Sequence, residues 1–457
     1  MTHLRNLPDA LPITPPIARP AHITVRPPGS KSLTNRALAL AALADSESTL
    51  TGAETESDDG AAMLGAIRSL GASVSQSADG ALRIMGVAGK PRRAADVFAR
   101  DSGTTARFIA AACALGETPV TVDGSDRLRQ RPIGALFGAL RAMGAAVECT
   151  GAHDSLPAQV SAYAVPLRGG AVQVQGDVSS QFISALLMVG PWCKDGLQIT
   201  CASPPVSAPY ITMTTQLMER VGADVHASED NSTLAVAPGT MPGFTLAIEP
   251  DASAAMVFAA AAAILPGVTI EIAGVMRDSM QGDVRFLSVL DRMGARATWS
   301  ATGVTVSCET KALAPIDVDL SDIPDQAMTL AVLACFASGV TTIRGLRTLR
   351  DKECDRIAAL QAELGKIGVR AETFTYEGRS GIDEALRITP TAHASDPANE
   401  QGAVALETHN DHRMAMTLAL LGLRRPGVVI LNPACASKTY PAFWRDFALL
   451  GALRTPA

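Results

Sequence analysis

Two kinds of helix-like stretch alternate along the chain. The first kind is apolar nearly all round and covers residues 33–44, 105–115, 181–189, 254–265, 326–337 and 413–423. A helix without a polar face belongs inside a core, packed on every side. Most of these stretches run into short β-branched segments, at residues 119–122, 197–200, 268–272, 340–343 and 428–431. The second kind is amphipathic and ends on a hydrophobic residue, then glycine, then Ala or Val: Leu70-Gly71-Ala72, Met143-Gly144-Ala145, Val221-Gly222-Ala223, Met293-Gly294-Ala295, Ile367-Gly368-Val369 and Leu450-Gly451-Ala452. Glycine just past a helix marks the left-handed residue that ends it, and strand-prone sequence such as residues 146–149 follows. The unit is therefore helix, strand, helix, strand, strand, repeated six times.

The six glycines lie 73, 78, 72, 74 and 83 residues apart, too long a period for a thin solenoid. Three units per domain divide the chain evenly. The natural boundary falls near residues 244–251, where Pro242, Gly243 and Pro250 flank a short strand. A loop-like segment at residues 375–383 inside the fifth unit is expected to join two strands.

Composition narrows the class. With 457 residues, 47% of them hydrophobic, the chain can bury large cores in at least two domains. A net charge of −6 argues against a general nucleic-acid or anionic-membrane surface, so any cationic site must be local. The eight cysteines contain no C-x-x-C pair, a pattern that fits reduced thiols in a cytosol better than disulfides or a zinc site. Residues 1–20 lack a hydrophobic signal core and no apolar run is long enough to span a bilayer.

Candidate chemistry gathers just before the apolar helices. The first cluster is Pro28-Gly29-Ser30-Lys31-Ser32-Leu33-Thr34-Asn35-Arg36. A helix start offers unpaired N–H groups and the positive end of the dipole, a site for phosphate or carboxylate. Ser30 or Ser32 supplies the cap, and from a start near Ser32 that residue shares a face with Arg36 while Lys31 sits at the mouth. Equivalent clusters are residues 100–107, 176–181, 249–253, 323–326 and 408–413. Arg36, Arg107 and Arg413 oppose the helix dipole, a mismatch that a bound anion repairs. Further cations precede the second helices at residues 127–132, 350–356 and 437–439; on a helix Lys352 and Arg356 align four residues apart, with Glu353 on a neighbouring face. Helices of one orientation would aim these clusters at a common side.

These motifs together resemble the 5-enolpyruvylshikimate-3-phosphate synthase family. The resemblance runs from about Ile23 to the C-terminus and rests on Pro28-Gly29-Ser30-Lys31-Ser32 with Asn35-Arg36, Asp101-Ser102-Gly103-Thr104-Thr105, Arg131-Pro132, Ser179-Ser180-Gln181, Lys352-Glu353 with Asp355-Arg356, and Asn410-Asp411-His412-Arg413-Met414-Ala415-Met416. It implies an α/β, two-domain enolpyruvyl transferase fold, each domain three βαβαββ units around a pseudo-threefold axis, closing on substrate. Residues 1–29 and 249–457 are expected to form a discontinuous domain, units four to six plus an N-terminal strand, and residues 30–248 the other.

By the same resemblance, shikimate 3-phosphate would contact Lys31, Ser32, Arg36, Ser179, Ser180, Ser207, Tyr210, Asp325 and Lys352. Phosphoenolpyruvate would contact Lys31, Gly103, Arg131, Gln181, Arg356, Arg413 and Lys438. Asp325 is expected to act as base on the 5-hydroxyl, and Glu353, helped by Lys31, to handle the proton at the methylene carbon. The expectation is a cytoplasmic monomer that takes these two small-molecule substrates, no nucleic acid and no membrane, and needs no cofactor or metal. The sister family that transfers enolpyruvyl to a UDP-amino sugar usually carries a reactive Cys before its Arg-Pro, and residues 124–131 contain none. A non-catalytic anion-binding module fits less well, because Asp325 and Glu353 would weaken pure anion capture.

Overall fold

The computed structural model describes residues 7–17, 21–92, 95–379, 381–391 and 402–453. Contacts divide the chain into two compact units, one formed by residues 28–249 and the other by residues up to 27 together with those from 250 onward. Each contains three of the repeats.

One repeat shows how the pattern folds. The helix Lys31–Leu43 is followed by the strand Glu47–Thr51, the amphipathic helix Asp58–Ser69 and the strands Ser73–Gln76 and Leu82–Met85. Leu82–Met85 lies between the other two strands and is antiparallel to both, while a parallel strand, Thr245–Ala247, closes the far edge. The same order recurs in the second, third, fourth and fifth repeats: a leading strand parallel to the one after the buried helix, then two antiparallel strands. Counting the leading strand, the repeat is βαβαββ. The glycine signal has its expected cause: Gly71, Gly144, Gly222, Gly294, Gly368 and Gly451 all have φ between 75° and 106°, the region that costs a side chain most.

The unit of residues 28–249 takes its first leading strand, Thr245–Ala247, from its own C-terminal end. The other unit takes His22–Val25, which pairs in parallel with Thr269–Ala273. Among the described residues its sixth repeat has a sheet of three strands. There Val404–Glu407 and Val428–Leu431 pair in parallel and the third strand is Ala10–Ile13, antiparallel to Val428–Leu431. A segment before residue 20 thus forms one edge of this sheet. The segment at residues 375–383 is no open loop: it lies mostly within the strands Arg370–Gly378 and Gly381–Thr389, which remain paired as far as Gly378 and Gly381. Alternation of Thr373, Thr375 and Glu377 with Phe374 and Tyr376 suits an extended hairpin, which the polar composition disguised.

The helices expected to be apolar all round are buried. Every residue of Gly103–Cys113, Ala252–Ile264 and Ala327–Ala334 is buried. In Lys31–Leu43 only Lys31 and Ser32 escape burial, in Ser180–Val189 only Gln181, and in His412–Leu418 only Arg413. Alanine dominates Ala252–Ile264, so neighbouring elements approach it closely, and Phe258 fills the space against Tyr440 and Phe443 at ring-centroid distances of 6.2 and 5.8 Å. Among the described residues no helix is long and apolar enough to cross a membrane.

This packing makes a graded prediction for stability. Phe258→Ala should cost about 3–5 kcal/mol, the usual loss for emptying an aromatic core site, whereas Phe98→Ala, at a side chain 60% exposed, should stay within about 0.5 kcal/mol. Urea unfolding of the two variants checks this, and equal losses would contradict the burial pattern.

Candidate active site

In the unit of residues 28–249, three helix starts are tied together by side chains. Ser30 is the cap of Lys31–Leu43, its Oγ accepting from Leu33 N at 3.4 Å, so the helix begins one residue before Ser32. Asn35 Nδ2 donates to Thr104 Oγ1 at 2.6 Å, joining the first helix to the second. Arg36 reaches the third: Nη2 donates to Ser184 Oγ and to the Tyr210 carbonyl, each at 3.2 Å, and Nε donates to Thr214 Oγ1 at 2.7 Å. Its guanidinium lies 5.3 Å from the Phe108 ring centroid, and Nη1 donates to the Ser32 carbonyl at 3.0 Å. Lys31 is the first residue of this helix, and Arg36, on the face it shares with Ser32, turns inward. Burial lowers the Arg36 pKa to about 10, still charged at neutral pH.

Arg107 is also turned inward. It donates to the Gly103 carbonyl at 3.0 Å and the Pro132 carbonyl at 2.6 Å. Both inward arginines sit where they oppose a helix dipole, and both donate to carbonyl oxygens, Arg36 to those of Ser32 and Tyr210 and Arg107 to those of Gly103 and Pro132. Lys31 Nζ lies 3.2 Å from Asp59 Oδ2, a partner that sequence reading missed because Ser57-Asp58-Asp59 looks like an ordinary acidic helix start.

Gly103 is the first residue of its helix, and a Cβ added there would lie 2.5 Å from Arg107 Nη1 and 3.0 Å from Arg131 Nη1. Arg131 follows the short helix Asp126–Gln130 and is buried, with Nε enclosed and without a hydrogen-bond partner. Gln181 Oε1 is likewise enclosed and unpartnered. Unmade hydrogen bonds of this kind are costly in a finished core and suit a site that a ligand completes. Ser179 caps Ser180–Val189, its Oγ accepting from Gln181 N at 3.3 Å, and Ser180 is buried beside it. Ser207 takes a left-handed conformation (φ 52°) at the start of Ala208–Arg220, which carries Tyr210.

The other unit brings together Asp325, Lys352, Glu353, Arg356, Arg413 and Lys438. Arg356 is 1% exposed and touches three carboxylates: Nε to Asp411 Oδ2 at 2.7 Å, Nη1 to Asp325 Oδ1 at 2.9 Å and Nη2 to Glu353 Oε2 at 2.9 Å. Lys352 Nζ stands 3.6 Å from Asp325 Oδ1, Arg413 Nη2 3.3 Å from Asp325 Oδ2, and Lys438 Nζ 3.2 Å from Glu353 Oε1. Lys352 and Arg356 do not share a helical face, because the helix begins only at Arg356, capped by Asp355; Lys352 is extended and converges on Asp325 from outside it. Asp411, absent from the expected site residues, caps His412–Leu418 by accepting from Arg413 N at 2.8 Å.

Charge compensation sets the ionisation of this cluster. Burial opposes the charge on Arg356, but Asp411, Glu353 and Asp325 outweigh it and hold its pKa well above the usual arginine value. Burial likewise opposes the Asp325 carboxylate, yet Arg413, Lys352 and Arg356 keep it far below the ordinary carboxylate range. Its side chain is 16% exposed and that of its partner Lys352 23%, so the cluster opens on the side of this pair. Among the described residues no group of three or more His, Cys, Asp or Glu is arranged to hold a metal ion.

Buried helices in βαβαββ repeats, with cations gathered near their starts, make an enolpyruvyl-transferase fold, and comparison with known sequences makes this specific. The family model described as EPSP synthase (3-phosphoshikimate 1-carboxyvinyltransferase) matches residues 18–447. A 3-phosphoshikimate 1-carboxyvinyltransferase of Klebsiella pneumoniae is 40% identical over 447 residues, covering 96% of this chain and 98% of its own. The protein of the same name from Nitrosomonas europaea is 38% identical, covering 95% and 97%. Among solved structures, the EPSP synthase of Acinetobacter baumannii superposes with a TM-score of 0.76 at 23% identity, covering 97% of this chain and 98% of that one. The enolpyruvyl transferase NikO of Streptomyces tendae gives 0.72 at 20% identity, covering 97% and 98%. The chain belongs to the EPSP synthase family of transferases.

Gly103 offers a test of whether its neighbours shape a site for an anion. Gly103→Ala should displace the Arg107 guanidinium, which the new Cβ would approach to 2.5 Å, and crowd that of Arg131 at 3.0 Å; KM for an anionic substrate should rise about tenfold or more, the scale of one charged hydrogen bond, and the thermal midpoint should fall because Arg107 is buried on the Gly103 and Pro132 carbonyls. Steady-state kinetics would show this, and an unchanged KM for both substrates would contradict the assignment.

Proposed function

We propose that Asp325, Glu353 and Lys31 carry out the proton transfers of the family's reaction, and that the surrounding cations bind its two anionic substrates. In that reaction the enolpyruvyl group of phosphoenolpyruvate moves to the 5-hydroxyl of shikimate 3-phosphate; phosphate is released and 5-enolpyruvylshikimate 3-phosphate forms, a step of the shikimate pathway. The observation that carries the residue assignment is the convergence of Arg356, Arg413, Lys352 and Lys438 on the carboxylates of Asp325 and Glu353.

Phosphoenolpyruvate is assigned to Lys31, Gly103, Arg131, Gln181, Arg356, Arg413 and Lys438. The unpartnered Arg131 Nε and Gln181 Oε1 support their share of it. Shikimate 3-phosphate is assigned to Lys31, Ser32, Arg36, Ser179, Ser180, Ser207, Tyr210, Asp325 and Lys352; Arg36 also donates to the Ser32 and Tyr210 carbonyls. The 5-hydroxyl loses its proton to Asp325 as its oxygen attacks C2, and C3 gains a proton from Glu353 with Lys31 assisting. The resulting tetrahedral ketal expels phosphate, the roles exchanging in the second step.

A carboxylate surrounded by three cations is a weak base. Substrate anions that settle on Arg413 and Arg356 cancel part of that charge, so Asp325 gains basicity once its substrates are bound. Catalysis then rests on positioning and preorganised charge, without a cofactor. The reading extends to a monomer acting in the cytoplasm on these two small molecules alone.

Phosphate release measured with both substrates tests the roles. Asp325→Ala and Glu353→Gln should each lower kcat by about 100-fold or more, in the range of a lost general acid or base. If either kept kcat within about threefold of the parent, its assignment would be wrong.

A further inference from the structure

Asp283 has no part in the roles assigned above, yet it is a carboxylate only 2% exposed. Its Oδ1 accepts from Ser253 Oγ at 2.8 Å and from Gln326 Nε2 at 2.6 Å. Ser253 Oγ in turn accepts from Arg413 Nη2 at 2.7 Å. Gln326 directly follows Asp325 in the turn Pro324–Gln326 and also donates to the Ser253 carbonyl at 3.1 Å. One carboxylate oxygen therefore ties together the starts of all three buried helices of this unit: Ala252–Ile264, the turn leading into Ala327–Ala334, and His412–Leu418. Gln281, two residues upstream, fastens the Asp283 segment to the first of these: its Oε1 accepts from Ala252 N at 2.9 Å and its Nε2 donates to the Pro250 carbonyl at 2.7 Å.

The direction of the hydrogen bonds matters. Ser253 has one hydroxyl proton, and giving it to Asp283 turns an oxygen lone pair toward Arg413. Gln326, donating to the same carboxylate, is held so that its predecessor Asp325 stands 3.3 Å from Arg413. Burial raises the pKa of Asp283, while Arg413 and the bonds from Gln326 and Ser253 act against that rise. A buried acid is a poor source of stability compared with an apolar side chain of the same volume, so its presence calls for a role in geometry.

We propose that Asp283 is a positioning residue for enolpyruvyl transfer, setting the Arg413 guanidinium through the Ser253 hydroxyl and the Asp325 turn through Gln326. The inference rests on the reading that Arg413 binds phosphoenolpyruvate and Asp325 is a base. Asparagine at position 283 presents a carbonyl oxygen that accepts the same two bonds; alanine accepts neither.

Kinetics of purified variants decide it. Asp283→Ala should lower kcat about 30-fold and raise KM for phosphoenolpyruvate about tenfold, with KM for shikimate 3-phosphate within about twofold. Asp283→Asn should recover at least about tenfold of the lost kcat, and Asp283→Ala with Ser253→Ala should be no worse than Asp283→Ala alone, because both break one relay. Full activity in Asp283→Ala, equal impairment in Asp283→Asn, or additive losses in the double variant would overturn the inference. If Asp283→Ala does not fold, Ser253→Ala carries the decision: a tenfold rise in KM for phosphoenolpyruvate supports the relay and an unchanged KM refutes it. Asp325→Ala and Arg413→Met, measured alongside, separate the two levels. Their retaining activity would refute the underlying reading, whereas their inactivity beside a fully active Asp283→Ala would refute only the role of Asp283.

Discussion

Arg356 sets the constraint around which one unit is organised. An arginine with 1% exposure cannot be left uncompensated, and three carboxylates, Asp325, Glu353 and Asp411, close on its three guanidinium nitrogens. Two of those carboxylates carry further cations, Asp325 with Arg413 and Lys352, Glu353 with Lys438. The same side chains that neutralise the buried charge thus gather every candidate ligand of this unit within ion-pair distance. Within the cluster each of these charges has an opposite partner, so on the proposed assignment substrate anions compete with its own carboxylates. On that assignment the competition would link binding to the release of Asp325 from part of its positive surroundings.

The repeat explains why such clusters exist at all. A helix buried on every side leaves its first turn as the one place where its polar groups meet anything other than core. The exceptions to burial fall at those first turns: Lys31, Ser32, Gln181 and Arg413 are the only accessible residues of their helices. Side-chain bonds between helix starts, Asn35 to Thr104, Arg36 to Ser184 and Arg413 to Ser253, hold the clusters of each unit in register. Rigid helices carrying the ligands, with a hydrogen-bonded layer behind them, are what electrostatic catalysis requires.

Much of this was legible in the chain because period and termination have simple physical causes. Six glycines in phase with six apolar helices announced the repeats, and each glycine adopts the left-handed conformation that only its missing side chain makes cheap. Motif residues announced the site. What escaped was direction. Arg36 and Lys31 look equivalent as cations at one helix start, yet Arg36 lies on the face that meets Ser184 and Thr214, and only packing decides that. Lys352 and Arg356 have helical spacing, but the helix starts after the first of them. Asp59, Asp283 and Asp411 are partners from separate segments, and no local spacing points from Lys31 to Asp59 or from Arg413 to Asp283. The polar composition of residues 375–383 hid a hairpin because its strands have few large apolar side chains to mark them.

The claim at the centre is that Arg356 acts through its planar fork, bridging three carboxylates while offering charge to substrate. Lysine at that position keeps one positive charge but cannot hold three acceptors in a fixed plane. The direct measurement is single-turnover phosphate release by Arg356→Lys with saturating substrates, on protein shown to be folded. The account predicts a fall of about 100-fold or more in the rate of the chemical step; a rate within about threefold of the parent would contradict it.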